Sequence, residues 1–146
     1  MKSLLKGVIP IILLTTTISA FSQQPPVRKS SHFKSAPERI TASPTELEKA
    51  FTTKEGSEVT FRFRELQLKG TVLSSVKRYE NLYSVIIKSQ DSTLYSFSKR
   101  INNDKSVTYI GRILNDNSSD GYELKKGSDG TYTFHKIQTE DLIQDY

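Results

Sequence analysis

The sequence predicts a mainly β protein: a small antiparallel meander barrel, or a strongly curled sheet, of about seven strands with a short helix at each end. Three observations support this prediction. Apolar and polar residues alternate with a period of two along most of residues 58–137. Clusters of Asn, Asp, Gly and Ser separate the alternating runs and are typical of turns. The connections are too short for helical crossovers, so consecutive strands are expected to pair antiparallel.

The first 22 residues predict a cleavable export signal. Lys2 and Lys6 form a positive start, residues 8–14 are apolar apart from Pro10, and Ala20-Phe21-Ser22 supplies small residues at the −3 and −1 positions. Cleavage after this last triplet places the protein in the periplasm, at the cell surface or outside the cell. The stretch is too short and too rich in threonine to supply the about 20 apolar residues of a membrane span, so none is expected after cleavage.

Residues 23–41 predict a flexible linker, and residues 42–146 a single β-domain. The linker segment consists largely of Gln, Pro, Ser, Lys and Arg, which cannot bury enough apolar surface to offset the entropy of ordering. The chain as a whole carries a net charge of +5, but residues 41–146 hold 15 basic and 15 acidic residues. The positive charge therefore lies outside the domain, which argues against a nucleic-acid partner. The chain has no cysteine, which excludes disulfides and lipid attachment at a cysteine.

The domain is expected to begin with a short helix. Ser43 is a favourable N-cap, Pro44 suits the first helical position, and Glu46 completes a capping-box pattern. Apolar residues from Leu47 to Phe51 then share one helix face, which is suited to covering one end or edge of a sheet.

Seven strands are predicted after this helix, over residues 58–64, 66–77, 82–88, 93–99, 106–114, 122–126 and 131–137. The alternation changes phase at Glu65, which predicts a turn or bulge there. The third run is apolar on both parities, which predicts a central strand covered on both faces. The loop from Gly127 to Gly130 is the strongest hairpin signal. Thr139 is a suitable cap for a short C-terminal helix that turns Leu142 and Ile143 toward the core.

One loop has the pattern of a cation site. Asp116, Ser118 and Asp120, followed by Gly121, match the first half of an oxygen-ligand calcium loop. The closing position, where such loops carry a bidentate glutamate, is Gly127. We therefore interpret the segment as a polar hairpin loop and expect neither a metal nor any other cofactor.

The sequence contains no motif that we interpret as catalytic or as nucleic-acid binding. Residues 61–64 interleave Phe and Arg, but on a strand this alternation places the rings on one face and the cations on the other, as in a core strand. The sequence contains no G-x-S-x-G motif and no cysteine nucleophile. His135 is the domain's only histidine, and a triad would require folding to bring a serine and a carboxylate to it. We therefore predict no catalytic residues and no enzyme.

Two segments resemble a known group of proteins. The run from Val107 to Leu114 and the segment from Asp120 to Leu124 are similar to uncharacterised small β-domains of exported Bacteroidota proteins, and residues 20–24 resemble the ends of their export signals. Similar segments precede secreted metallopeptidase domains. The resemblance implies an alternative function: a pro-region-like inhibitor or chaperone of a secreted peptidase.

The function expected from the residues themselves is that of an exported, non-catalytic binding module whose ligand the sequence does not identify. The expected partner is another exported protein, and the pattern does not indicate an oligomeric state. Tyr79, Tyr83 and Tyr122 are the candidate contact residues, because tyrosine combines contact area with a polar tip near turns. Core packing is the competing interpretation of all three. An unrecognised hydrolase is a further alternative, which a pocket joining His135 to a serine and a carboxylate would favour.

Overall fold

The computed structural model describes residues 29–143 of the chain, so the predicted export signal and residues 23–28 of the predicted linker lie outside the described residues. The described part forms one antiparallel sheet of eight strands, curled into a half-barrel, with one α-helix and one 3-10 helix. The elements in chain order are β1 (Arg39–Ala42), α1 (Pro44–Thr52), β2 (Glu58–Arg62), β3 (Gln67–Tyr79), β4 (Leu82–Lys88), β5 (Thr93–Ile101), β6 (Val107–Asn115), β7 (Asp120–Lys126), β8 (Tyr132–Gln138) and the 3-10 helix (Thr139–Ile143).

The sheet is a meander with one long-range pairing. Its strand order is β1-β8-β7-β6-β5-β4-β3-β2, so consecutive strands from β2 to β8 pair with each other. The first strand pairs instead with the last, and Ile40 lies opposite Phe134 in that register. Strands β1 and β2 are the two edges of the sheet, although only α1 and its flanking residues separate them in sequence.

The mainly β, antiparallel fold predicted from the alternation is confirmed, with eight strands instead of seven. Each of the seven predicted strands is present, and β1 is the additional one. The prediction of a linker over residues 23–41 is wrong for the described end of that segment. Ile40 is fully buried and Ala42 is almost so, because the four residues of β1 alternate between solvent and core. The strand is too short, and its flanking sequence too polar, to be recognised as periodic.

Helix α1 begins as predicted, but its capping box is incomplete. The Ser43 hydroxyl accepts a hydrogen bond from the Glu46 amide at 3.1 Å. The Glu46 carboxylate does not return to the cap; it accepts from the Lys49 ammonium and from the Arg62 amide at 2.7 Å. These two donors, Lys49 first, lower the pKa of Glu46. Leu47 and Ala50 are the buried residues of the helix.

Glutamate side chains cover backbone donors at both edges of the sheet. The Glu46 carboxylate binds the Arg62 amide at the end of β2, and the Glu65 carboxylate accepts from the Thr41 amide of β1 at 2.9 Å. Unpaired edge amides are sites where another chain can add as a strand. The two carboxylates therefore satisfy edge donors that would otherwise be open to such pairing.

The inner face of the curled sheet holds an aromatic core. Phe61 is fully buried, and its ring lies 5.5 Å from that of Phe97 and 5.9 Å from that of Phe63, measured between centroids. The outer face leaves several apolar side chains exposed: Leu73, Val76, Ile86 and Ile110. The prediction that β4 is covered on both faces is therefore wrong, since Ile86 on its outer face is 39% exposed.

The prediction of a C-terminal helix from Thr139 is confirmed in the form of a 3-10 helix, and Leu142 is half-buried there. Over residues 29–143 the structure contains no helix with the length and apolar character needed to cross a membrane.

Candidate functional site

A cavity of about 480 Å³ opens at one end of the half-barrel. Its walls come mainly from the beginning of β3, the turn between β4 and β5, and residues 32–36, which precede β1. Glu58 of β2 and Thr93 and Tyr95 of β5 complete the lining. We refer to this cavity as the end pocket. Its apolar lining comes from both the sheet and the N-terminal segment and consists of Phe33, Ala36, Leu66, Leu68, Gly70 and Tyr95.

The N-terminal wall of the end pocket is held in place by a buried carboxylate. Asp120, at the start of β7, is 1% exposed. It accepts hydrogen bonds from the hydroxyls of Ser31 and Ser118 and from the Phe33 amide, the last at 3.2 Å. The Ser118 hydroxyl in turn accepts from the His32 amide at 2.8 Å. These bonds fix residues 31–33 against the turn between β6 and β7.

Apolar contacts complete this docking. Phe33 is buried, and its ring meets that of Tyr122 edge to face with centroids 5.3 Å apart. The hydroxyl of Tyr122 donates to the Pro37 carbonyl at 2.6 Å. Burial raises the pKa of Tyr122 to about 12, so the phenol remains a donor at physiological pH. The described residues before β1 are thus part of the domain.

A second carboxylate organises the opposite rim of the pocket. Asp91, in the β4–β5 turn, lies 2.9 Å from His32 Nε2 through Oδ2. Its Oδ1 accepts from the Ser89 hydroxyl and, at 3.1 Å, from the Thr93 amide. Burial opposes ionisation, but the hydrogen bonds from Ser89, Thr93 and His32 outweigh it and lower the pKa of Asp91 to about 2. The carboxylate is therefore ionised throughout the physiological range, and it joins the N-terminal segment to the turn.

Serine, histidine and aspartate make up a hydrolytic triad, but Ser89, His32 and Asp91 are arranged differently from a triad. In a triad the histidine stands between the carboxylate and the nucleophilic hydroxyl, whose proton it removes. Here Asp91 stands in the middle: Ser89 and His32 contact its two different oxygens. The serine hydroxyl donates to the carboxylate, and no bond between Ser89 and His32 is formed within the described residues. The arrangement therefore orients the β4–β5 turn through the bonds that Asp91 accepts.

The histidine singled out from the sequence lies elsewhere. His135 is on β8, half-buried, with Arg39 and Glu123 as its partners in the neighbouring strands, and it does not line the end pocket. Burial, followed by the charges of Arg39 and Lys125, lowers its pKa. The structure therefore does not join His135 to a serine and a carboxylate in a pocket of the described residues. The histidine that does line the pocket, His32, lies in the segment that the sequence predicted to be a flexible linker.

The three tyrosines proposed as contact residues are not brought together. Tyr79 is 72% exposed at the end of β3. Tyr83 is half-buried, with the Lys99 ammonium 5.4 Å from its ring centroid. Tyr122 has no exposed surface, so its assignment as a surface contact residue is wrong: it packs in the core, as the competing interpretation held.

The loop with the cation pattern serves a different purpose. Asp116 is exposed, whereas Asp120 is turned inward to residues 31–33. The described residues contain no group of three or more His, Cys, Asp or Glu side chains placed to hold a metal ion. The spacing that matched half of a calcium loop thus positions a carboxylate for the protein's own backbone.

No family model matches the chain, and neither a curated protein nor a solved structure shows significant similarity to it.

Proposed function

We propose that the chain is an exported, non-catalytic binding module and that the end pocket is its ligand site. The observation that carries this proposal is the cavity itself: about 480 Å³ with six apolar lining residues. Ligand sites of this kind combine mainly apolar walls with a few fixed polar groups. Four of the polar side chains at this rim are paired with one another: Glu58 with Lys69 at 3.1 Å and His32 with Asp91 at 2.9 Å.

The chemistry of the rim supports binding over catalysis. Within the described residues the Ser89 hydroxyl donates to Asp91 and makes no hydrogen bond to His32, the residue that would have to remove its proton. The gathering of these three side chains is nonetheless the observation that would favour a hydrolase. Hydrolysis of p-nitrophenyl acetate tests that alternative. We expect the protein to hydrolyse the ester no faster than free imidazole does. Faster hydrolysis that is lost in His32→Ala would contradict the binding module and indicate an esterase-like enzyme.

Export is the second part of the proposal and is supported by the order of charge, apolar run and small residues in positions 1–22. We expect the protein recovered from an exporting host to begin at Gln23 and to be absent from the cytosol. Intact-mass analysis of fractionated cells measures this. A cytosolic form that retains Met1 would contradict it.

Ligand binding in the end pocket can be measured with the fluorescent probe 1-anilinonaphthalene-8-sulfonate, whose rings suit an apolar cavity. We expect saturable fluorescence enhancement from the native protein. Ala36→Trp places an indole in the pocket and is expected to weaken binding about tenfold, because it fills the space the probe requires. Thr45→Trp, in the shallow groove beside α1, is the matched control and should bind the probe like the original protein.

The exposed apolar side chains of the outer face require their own control, since the same probe binds surface patches. Ile110→Ser removes one of them without touching the pocket. Loss of the signal in Ile110→Ser, or unchanged binding in a folded Ala36→Trp protein, would show that the end pocket is not the site.

A further inference from the structure

Within residues 29–143, the end pocket contains a strand edge that has no neighbouring strand. Strand β3 begins at Gln67, but its pairing with β4 begins only at Thr71, opposite Lys88. Among the described residues, 67–70 pair with β2 alone. On the side of β4 the next segment of chain is the β4–β5 turn, and the end pocket lies in between.

Backbone groups of this edge point into the pocket. The Val72 amide and carbonyl and the Leu66 carbonyl all bond on the β2 side. Because backbone groups alternate in direction along a strand, those of Gln67 and Lys69 point the opposite way. The Tyr95 hydroxyl confirms this direction, since it reaches the Lys69 carbonyl at 3.3 Å from the far wall.

The opposite wall does not supply a partner strand, because its own backbone is committed. The Ser89 amide donates to the Thr93 carbonyl at 2.9 Å, and the Ser92 amide donates to the Ser89 carbonyl at 3.3 Å. The turn is thus bonded within itself. The backbone groups of Ser89 and Ser92 are therefore taken up within the turn, whereas those of Gln67 and Lys69 face the pocket.

We propose that the ligand of the end pocket is an extended peptide segment that adds to β3 as a short strand, pairing with Gln67 and Lys69 and replacing the Tyr95 hydroxyl as the donor to the Lys69 carbonyl. This inference rests on the binding site proposed above and names the chemistry of its ligand. Three residues of edge extend about 10 Å at about 3.4 Å each, enough for a three-residue pairing. A peptide offers alternating amides and carbonyls at the spacing this edge requires, which an apolar small molecule does not.

The side chains around the unpaired edge of β3 indicate which residues the peptide ligand should carry. Leu68 is buried on the inner face, so the ligand residue opposite it points toward Phe33 and Tyr95 and should be aliphatic. The two flanking ligand residues exchange hydrogen bonds with the edge and point to the outer face, on the side of Lys69 and Lys88. Lys88 lines the pocket and has no ion pair within the described residues, so it favours a carboxylate in the ligand. The expected ligand is an acidic–aliphatic–acidic segment.

Calorimetric titration with a blocked pentapeptide of sequence threonine, glutamate, valine, glutamate, threonine tests the inference. We expect saturable binding, competition with the fluorescent probe, and amide shifts in NMR spectra centred on Gln67 and Lys69. N-methylation of both glutamates removes the donors that face β3 and should weaken binding about tenfold or more. Replacement of valine by glycine should also weaken it, by removing the apolar contact.

Two proline variants test the edge from the protein side. Lys69→Pro removes an amide that points into the pocket without breaking the pairing with β2, and it should weaken the peptide about tenfold. Thr60→Pro is the matched control: its amide points away from β3 at the outer edge of β2, so binding should be unchanged. If Lys69→Pro fails to fold, the N-methylated peptide on the original protein provides the same test.

The outcomes separate the two proposals. Probe binding in the pocket with no binding of the peptide would overturn the peptide inference and leave the binding module standing. Equal affinity for the methylated and unmethylated peptides would also overturn it, because side chains alone would then account for binding. If neither probe nor peptide binds, both proposals fail.

Discussion

Asp120→Ala is expected to lower the free energy of unfolding by about 3 kcal/mol and to release the N-terminal wall of the end pocket. The carboxylate is buried and accepts from Ser31, Ser118 and the Phe33 amide. Hydrogen bonds to a charged group contribute about 1.5–3 kcal/mol, and their loss leaves donors unsatisfied. Urea unfolding measures the stability change, and hydrogen exchange at the Phe33 amide reports the release directly.

The same loop provides the matched control. Asp116 carries an identical side chain in an exposed position, so Asp116→Ala should change stability by no more than about 0.5 kcal/mol. Equal effects of the two substitutions would contradict the role assigned to Asp120. So would unchanged protection of the Phe33 amide in the Asp120→Ala protein.

The role of Asp120 also predicts a dependence on pH. Burial alone would raise its pKa, but the hydroxyls of Ser118 and Ser31 and the Phe33 amide outweigh burial and lower it. A lowered folded pKa means that the stabilisation is complete above the unfolded value of about 3.9 and is lost as the pH falls through the folded value. When the pH is lowered from neutral to strongly acidic, the free energy of unfolding should therefore fall less for Asp120→Asn than for the original protein.

Phe61→Ala is expected to be the most destabilising single truncation, with a loss of about 3–5 kcal/mol. The ring is fully buried at the centre of the aromatic cluster, in contact with the rings of Phe63, Tyr95 and Phe97. Its removal takes away apolar burial and leaves a cavity that strands on several sides cannot close. Thermal and urea unfolding both measure the loss.

An exposed aromatic residue serves as the comparison. Tyr79 is 72% exposed, so Tyr79→Ala should alter stability by about 0.5 kcal/mol or less. A loss below about 2 kcal/mol for Phe61→Ala would show that the inner face repacks around the gap, and the aromatic cluster would then not be the main source of stability.

The sequence predicts most of this sheet because its two faces differ in polarity. Strand β2 is the clearest case: Val59 and Phe61 are buried while Glu58 and Arg62 are exposed, so the period of two is visible without a structure. Prediction was less accurate for β4, where apolar residues on both faces suggested burial of both. Ile86 is exposed instead, and the pattern alone does not distinguish a covered face from an uncovered apolar one.

The end pocket could not be predicted, because its walls are distant in sequence. His32 reaches Asp91 across 59 positions, and Phe33 reaches Asp120 across 87. Considered separately, the segment around His32 and Phe33 has the composition of a linker, and the loop around Asp120 has the pattern of half a cation site. Two signals were present: Phe33 is a lone aromatic residue in a polar segment, and the acidic loop lacked its closing ligand.

The pairing of β1 with β8 has a consequence for the order in which the molecule can form. Strands β2 to β8 join neighbours in the chain and can assemble hairpin by hairpin, whereas β1 must find a partner at the far end of the sequence. Closing such a long loop costs entropy that is offset only once β8 is present, and among the strand pairings of the sheet this one has the largest separation in sequence. A chain that emerges N-terminus first therefore carries β1 unpaired until residues 132–135 of β8 have been synthesised. The docking of β1 is then the final step of folding, and the same edge is where unfolding should begin.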